Sequence, residues 1–224
     1  MGANPVTSGE HRTYFNIVQG RFAVRVKEGD EGAIKRVIVN KKDKSEKTVF
    51  EKYYESIDAH IESIDIDESG DYGDQVKVNM KDADERFTVT LPLNGREAKS
   101  FLSCLKNIDM SKEVTLDPFN FEGKDGKQVI GLGVYQGAKN SENRHPKENK
   151  VPFYFTKETP NGLPQVAEGA DKDEFKLAMQ SQTIFLKKWA KGFLAEMGKK
   201  AESTPPPVHT EDSGAEEIDP DLGF

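Results

Sequence analysis

The chain has 224 residues, of which 32% are charged and 35% hydrophobic, and its formal net charge is -7. One domain, or one domain with an appendage, fits that length, and the low apolar share predicts segments that stay solvated. No window approaches the roughly 18 apolar residues of a membrane span, and a single cysteine, Cys104, excludes an internal disulfide or a cysteine-built metal cage.

Residues 1–11 are expected to form a flexible N-terminus. The opening stretch MGANPVTSGEHR has no apolar run for a secretory signal, and Val6 stands where a myristoylation signal has Ser or Thr. A soluble, cytoplasmic chain is the expectation. Residues 12–27, RTYFNIVQGRFAVRVK, read as one long strand interrupted at Gly20, where glycine suggests a bulge or a sharp bend. Beyond it Phe22, Val24 and Val26 share one face, and Arg21, Arg25 and Lys27 share the other. A short strand over 34–39 precedes the loop NKKDKSEK. A second long strand covers 48–67, with Val49, Tyr53 and Ile57 on one side and Lys52 and Tyr54 on the other. Residues 75–80 and 86–91 form a hairpin.

Pro92 and Asn94-Gly95 end this run of strands. The segment REAKSFLSCLKNI sets Ala98, Phe101, Leu102, Leu105 and Ile108 on one helical face. Asn94 is placed as its N-cap, with Glu97 three residues on. Strands return over 113–121 and 127–135, and a polar loop then leads to a short aromatic strand, VPFYFTK. The longest helix is expected over about 172–197, with Phe175, Gln182, Leu186, Trp189 and Phe193 in its inner stripe. The structured domain is therefore 12–200. Residues 201–224, with a Pro triplet and many acids, are expected to be a disordered tail.

That tail holds seven acids and no Lys or Arg. Without them the first 200 residues carry 32 acids and 32 basic residues, so the body is neutral. The last seven residues, IDPDLGF, place Ile218, Leu222 and Phe224 among acids, which a purely solvating tail does not need. A terminal Phe beside its carboxylate suits capture by a basic-rimmed apolar pocket on another protein. It also suits docking on the chain's own cationic groove.

Strands, one helix and two further strands is the order of an OB-fold, a five-stranded Greek-key barrel whose open face binds single strands. A long bent first strand fits the closure of so small a barrel. With the proline-containing linker and the acidic tail ending in Phe224, the chain resembles the single-stranded DNA-binding proteins of bacteria and their phages, the phage type above all. The bacterial family ends in acids followed by Ile-Pro-Phe. Here Ile218-Asp219-Pro220-Asp221-Leu222-Gly223-Phe224 keeps the acids and the Phe but has Gly223 in place of the penultimate Pro. The likeness covers the tail by motif and the barrel by element order, and the long last helix is foreign to the bacterial protein.

The resemblance implies a mainly β fold with helices: an OB-fold-like barrel, one helix between strands, a long closing helix and the tail. It implies a non-enzymatic, sequence-independent binder that coats single-stranded DNA in replication, recombination and repair, in the cytoplasm of a bacterial host. Replication and recombination proteins would be recruited through Asp219, Asp221, Leu222 and Phe224. No membrane, cofactor or metal is implied.

Such a binder needs cations for phosphates and aromatic faces for bases, each stacked base being worth roughly 1–3 kcal/mol. The candidate cations are Arg21, Arg25, Lys27, Lys35 and Arg36, then Lys41, Lys42 and Lys52, with Lys139 and Arg144 later in the chain. The candidate faces are Tyr14, Phe22, Tyr54, Tyr135 and Tyr154. An alternating Phe in a barrel strand serves the core more often than a base, which weighs against Phe22, Phe153 and Phe155. Trp189 is assigned to the core.

Rival chemistries are weaker. Asp65-x-Asp67-x-Ser69-Gly70-Asp71 begins like a calcium loop, but Val76 stands where the bidentate Glu belongs. Asp117 and Glu122-x-Lys124 superficially resemble a nuclease, whose carboxylates must converge on one Mg²⁺. Gly131-Leu132-Gly133 lacks the following helix of a dinucleotide site. The four histidines are isolated, Cys104 reads as a buried structural thiol, and no nucleophile–base set is present. The alternatives kept open are an adaptor that binds no nucleic acid and a strand-annealing recombination protein.

Overall fold

A computed structural model of the chain describes residues 12–39, 44–68, 73–83 and 85–203, with side chains through residue 199. It is mainly β, but its sheet has nine strands rather than the five expected. These are β1 Arg12–Val18, β2 Arg21–Val26, β3 Ile34–Val39, β4 Glu46–Tyr54, β5 Ile57–Asp67, β6 Gln75–Asp82, β7 Glu85–Pro92, β8 Val114–Glu122 and β9 Gln128–Tyr135. Their order across the sheet is β3-β4-β2-β1-β7-β6-β5-β8-β9. Helix α1, Arg96–Cys104, lies between β7 and β8 in the chain, and α2, Lys172–Ser203, follows the last strand.

Two of the extra strands come from segments expected to be continuous. Gln19 and Gly20 both have positive φ (53° and 76°), the pair of left-handed residues that a tight two-residue hairpin turn requires. Val18 therefore faces Arg21, and β1 and β2 run antiparallel. The second long strand breaks at Glu55-Ser56. On one side β4 pairs with β2 and β3; on the other β5 pairs with β6 and β8.

That break shapes the molecule. β4 and β5 stand five places apart in the sheet yet are joined by two residues, so the sheet must curl to bring them together. The β1–β2 turn shows the same curl from the other side. A Cβ on Gly20 would lie 2.5 Å from the backbone nitrogen of Asn120 in β8. The result is a curled half-barrel.

Alternation fills its inner face. Phe15, Phe22, Ile64, Val78, Met80 and Val89 are buried there against Phe101, Leu102 and Leu105 at the α1 end. Full burial of such a side chain contributes about 1.5–3 kcal/mol. Helix α1 uses the expected face, but its N-cap is Gly95, with no side-chain cap, rather than Asn94. Burial pushes the Cys104 thiol up to about 12.

The aromatic segment VPFYFTK is not a strand. The backbone N–H groups of Tyr154 and Phe155 point to the Ser103 carbonyl at the end of α1 (2.6 and 3.4 Å). Its rings meet α2 instead, where Trp189 stacks between Tyr154 and Phe193 at 6.0 and 5.2 Å. Leu186, Ala190 and Gln182 of α2 are buried as expected, whereas Phe175 is 51% exposed. Lys187 bridges Glu68 and Asp74, and Lys191 pairs with Glu68, which ties α2 to the β5–β6 connection. Among the described residues no helix is long and apolar enough to cross a membrane.

Candidate nucleic-acid interface

The register of the first hairpin decides which side chains stand together. Asn16 lies opposite Ala23, so Tyr14 and Arg25, each two residues further from the turn, share that face. β1 is also parallel to β7, with Tyr14 beside Thr88. Tyr14 is 60% exposed, and a cleft of about 410 Å³ runs past it, lined by Arg12, Thr13, Asn16, Val24 and Arg25. Arg21 is exposed at the turn end of β2. Neither Arg21 nor Arg25 makes a salt bridge among the described residues.

A polar network anchors this surface. Arg12 Nη1 and Thr88 Oγ1 both donate to Asn79 Oδ1, each at 2.7 Å. Asn79 Nδ2 donates onward to Ser63 Oγ at 2.9 Å and Asp65 Oδ2 at 2.8 Å. Arg12 and Arg86 flank Glu62 at 3.8 and 3.4 Å. Lys77 meets Asp67 at 2.6 Å, a hydrogen bond that raises the ammonium above its ordinary value. Cations toward β5 are thus matched by acids, and the β1–β2 end is where positive charge stands open. Arg12 and Asn79 were not among the sequence candidates. The alternation Arg12, Tyr14, Asn16 along β1 was the signal for the first of them.

The other candidates divide between several environments. Arg36 grips Glu51, with Nε to Oε2 at 2.7 Å and Nη2 to Oε1 at 2.6 Å, and Tyr53 Oη donates to Oε2 at 2.9 Å. The hydrogen bond to Arg36, aided by Tyr53, holds the Glu51 carboxyl below its ordinary value; the same bond raises Arg36. Burial, then Glu51, raises the Tyr53 hydroxyl. Lys27 and Lys35 are exposed, and Lys52 is half-buried beside the exposed Tyr54. Tyr54 stands edge-on to Phe15 at 5.6 Å. Phe22 is completely buried, its ring edge-on to Phe15 in the core. Lys41, Lys42 and the tail residues Asp219, Asp221, Leu222 and Phe224 lie outside the described residues.

Lys139, Arg144 and Tyr135 gather in a separate pocket of about 320 Å³ with Glu55, Asp117 and His145. Lys139 pairs with Asp58 at 2.6 Å, and Thr115 Oγ1 also donates to Asp58. Having used its one proton, Thr115 Oγ1 accepts from His145 Nε2 at 2.7 Å. His145 Nδ1 is then a bare acceptor, buried and without a partner, while the ring stacks on Tyr135 at 5.1 Å. Burial raises Asp58, but Lys139 and Thr115 outweigh it and hold the carboxyl low. Burial and then Glu55 raise Asp117, and burial and then Lys139 lower His145. Tyr154 belongs to neither place. Lys106 Nζ lies 4.2 Å from its ring centre and donates to its hydroxyl at 3.1 Å.

Asp65 and Asp67, the start of the calcium-like pattern, sit within β5 and are engaged by Asn79 and Lys77. Among the described residues no group of three His, Cys, Asp or Glu side chains is placed to hold a metal ion. No protein family, curated protein or solved structure matches the chain.

Proposed function

We propose that the chain is a non-enzymatic, sequence-independent single-stranded DNA-binding protein of the phage type, which coats intermediates of replication, recombination and repair in a bacterial cytoplasm. The observation that carries this is the exposed Tyr14 ring standing on one face with Arg25, close to Arg21. An aromatic face gives stacking that any base satisfies, and neighbouring guanidiniums neutralise the phosphates on either side. The network from Arg12 through Asn79 holds the platform in place, so little ordering is needed when a strand binds. We read β2, β1, β7 and β6, with the bent β4–β5 ribbon tying their two ends, as the counterpart of an OB-fold barrel. On this reading residues 201–224 recruit replication and recombination proteins.

A gel-shift series tests it. Single-stranded DNA, duplex DNA and RNA are titrated at about 50 mM salt and again at higher salt. Preferential retardation of single strands of unrelated sequence, weakening steeply with salt, is the expected result. No shift with any nucleic acid would favour an adaptor that binds protein alone, and large annealing rings would favour the recombination reading.

A further inference from the structure

The largest cavity lies away from the β1–β2 face. It is a groove of about 630 Å³ bounded by α1, Ile130 of β9, the 153–166 segment and the first turns of α2. Phe155 and Leu163 form buried parts of it, while Phe153 and Phe175 are exposed large apolar side chains beside Met179. Arg96, Lys99 and Lys157 supply positive charge, and no acid lines it.

Lys99 is the informative residue. Its ammonium is half-buried, donates to the Gln182 carboxamide and touches Met179 Sδ at 4.0 Å. It makes no salt bridge among the described residues. Burial and the neighbouring Arg96 hold its pKa below the ordinary value, so an anion entering the groove would meet a cation with no other counterion. A groove of this kind suits a ligand that is both apolar and acidic.

The chain carries one. Residues 216–224, EEIDPDLGF, set Ile218, Leu222 and Phe224 among Glu216, Glu217, Asp219 and Asp221. The connection is long enough. From Met179 to Ser203 along α2 is about 36 Å at the helical rise. The stretch from Ser203 to Ile218 spans up to about 50 Å when extended. We propose that residues 216–224 dock in this groove of their own chain, with Leu222 and Phe224 between Phe153 and Met179 and the acids at Arg96 and Lys99. Docking would shield these residues from partner proteins and leave the β1–β2 face free. The proposal does not rest on the nucleic-acid function, because the groove shares no residue with that face.

The test uses the full chain with the photo-reactive analogue p-benzoylphenylalanine in place of Phe224, irradiated at low concentration. Mass spectrometry should find intramolecular cross-links to the peptides holding Phe153 or Met179. Lys99→Gln should lower their yield about tenfold, in line with loss of one charge-assisted contact. Phe175→Glu, at an exposed position, should lower it too and serves if the Lys99 variant does not fold. Cross-links to residues 12–26, cross-links only between molecules, or no cross-links at all would each overturn the proposal. Single-stranded DNA binding measured on the same samples separates its failure from a failure of the proposed function.

Discussion

Arg36 holds both carboxylate oxygens of Glu51, while Arg25 stands opposite that same Glu51 in the β2–β4 register. One buried acid therefore has two arginines within reach and is satisfied by one. Arg36 becomes a structural cation, and Arg25 keeps its charge for the surface beside Tyr14. The division of labour between these arginines follows from Glu51.

Removing Arg36 should therefore cost stability before it costs binding. Glu51 is 4% exposed at its side chain and Arg36 34%. Arg36→Ala leaves a buried carboxylate uncompensated, for about 2 kcal/mol, less than for a fully buried pair because the arginine is partly solvated. The folded pKa of Glu51 is depressed, so its contribution is present above the unfolded carboxylate value of about 4.3 and is lost as pH falls through the folded value. Urea denaturation at neutral and acid pH should show the variant's deficit shrinking in acid. A deficit that stays constant with pH would assign the cost to packing instead. The double variant Arg36→Met, Glu51→Leu should recover much of the loss.

Tyr14 and Phe22 should separate binding from folding. Tyr14→Ala removes an exposed ring, so stability should change by no more than about 0.5 kcal/mol. Affinity for oligo-dT should fall by about 1–3 kcal/mol, roughly five- to 150-fold. Arg25→Ala should reduce the salt dependence by about one counterion. Phe22→Ala should do the reverse of Tyr14→Ala, costing about 3–5 kcal/mol of folding free energy. Fluorescence titration and thermal melts on the three variants read these effects. Undiminished affinity in Tyr14→Ala would remove the β1–β2 face as the platform.

Much of the secondary structure was legible because its signals are local. The β6–β7 and β8–β9 pairs and the buried face of α1 follow from alternation or helical spacing, and they stand as expected. Gly20 shows where that logic stops. Phe15 and Ile17 are odd-numbered core or near-core positions and Phe22 and Val24 even-numbered ones, a phase change that a one-residue bulge and a two-residue turn produce equally. Only the pairing of β2 with β4 decides between them. The aromatic run 153–155 was misleading for a related reason: its backbone partner, the Ser103 carbonyl, is distant in sequence. The site was harder still. Arg12 meets Asn79 across 67 positions and Lys139 meets Asp58 across 81, so sequence order could not tell a committed cation from an open one.

The pocket at the β4–β5 corner should give the protein an acid-sensitive stability near neutrality. The folded pKa of His145 is depressed, so its neutral form stabilises the fold above the unfolded value of about 6.5. That contribution is lost as pH falls through the folded value. Asp117 acts in the opposite sense. Its folded pKa is raised, so it weakens the fold as pH climbs from the unfolded value through the folded one. Denaturant melts between about pH 4 and 8 should show His145→Phe, which keeps a ring against Tyr135, flattening the upper part of the profile. Asp117→Asn should raise stability at pH 7. A wild-type slope surviving in His145→Phe would mean that another group titrates there.

The last prediction concerns the turn that curls the sheet. Gly20 has φ +76°, and a Cβ there would meet the Asn120 nitrogen at 2.5 Å, Asn120 Cβ at 2.8 Å and the Phe119 carbonyl carbon at 2.9 Å. Two costs therefore add in Gly20→Ala: left-handed backbone for a residue with a Cβ, about 1–2 kcal/mol, and forced separation of the turn from β8, about 1–3 kcal/mol. The β8 contact is backbone, so no side chain can swing aside to relieve it. Gly29 also has positive φ (+88°) but nothing within 4 Å of its Cβ position, so Gly29→Ala should show the first cost alone. Chemical denaturation of the pair reads the difference directly. Equal losses at the two glycines would mean that the β1–β2 turn does not press on β8, and the curl would then rest on the Glu55-Ser56 joint alone.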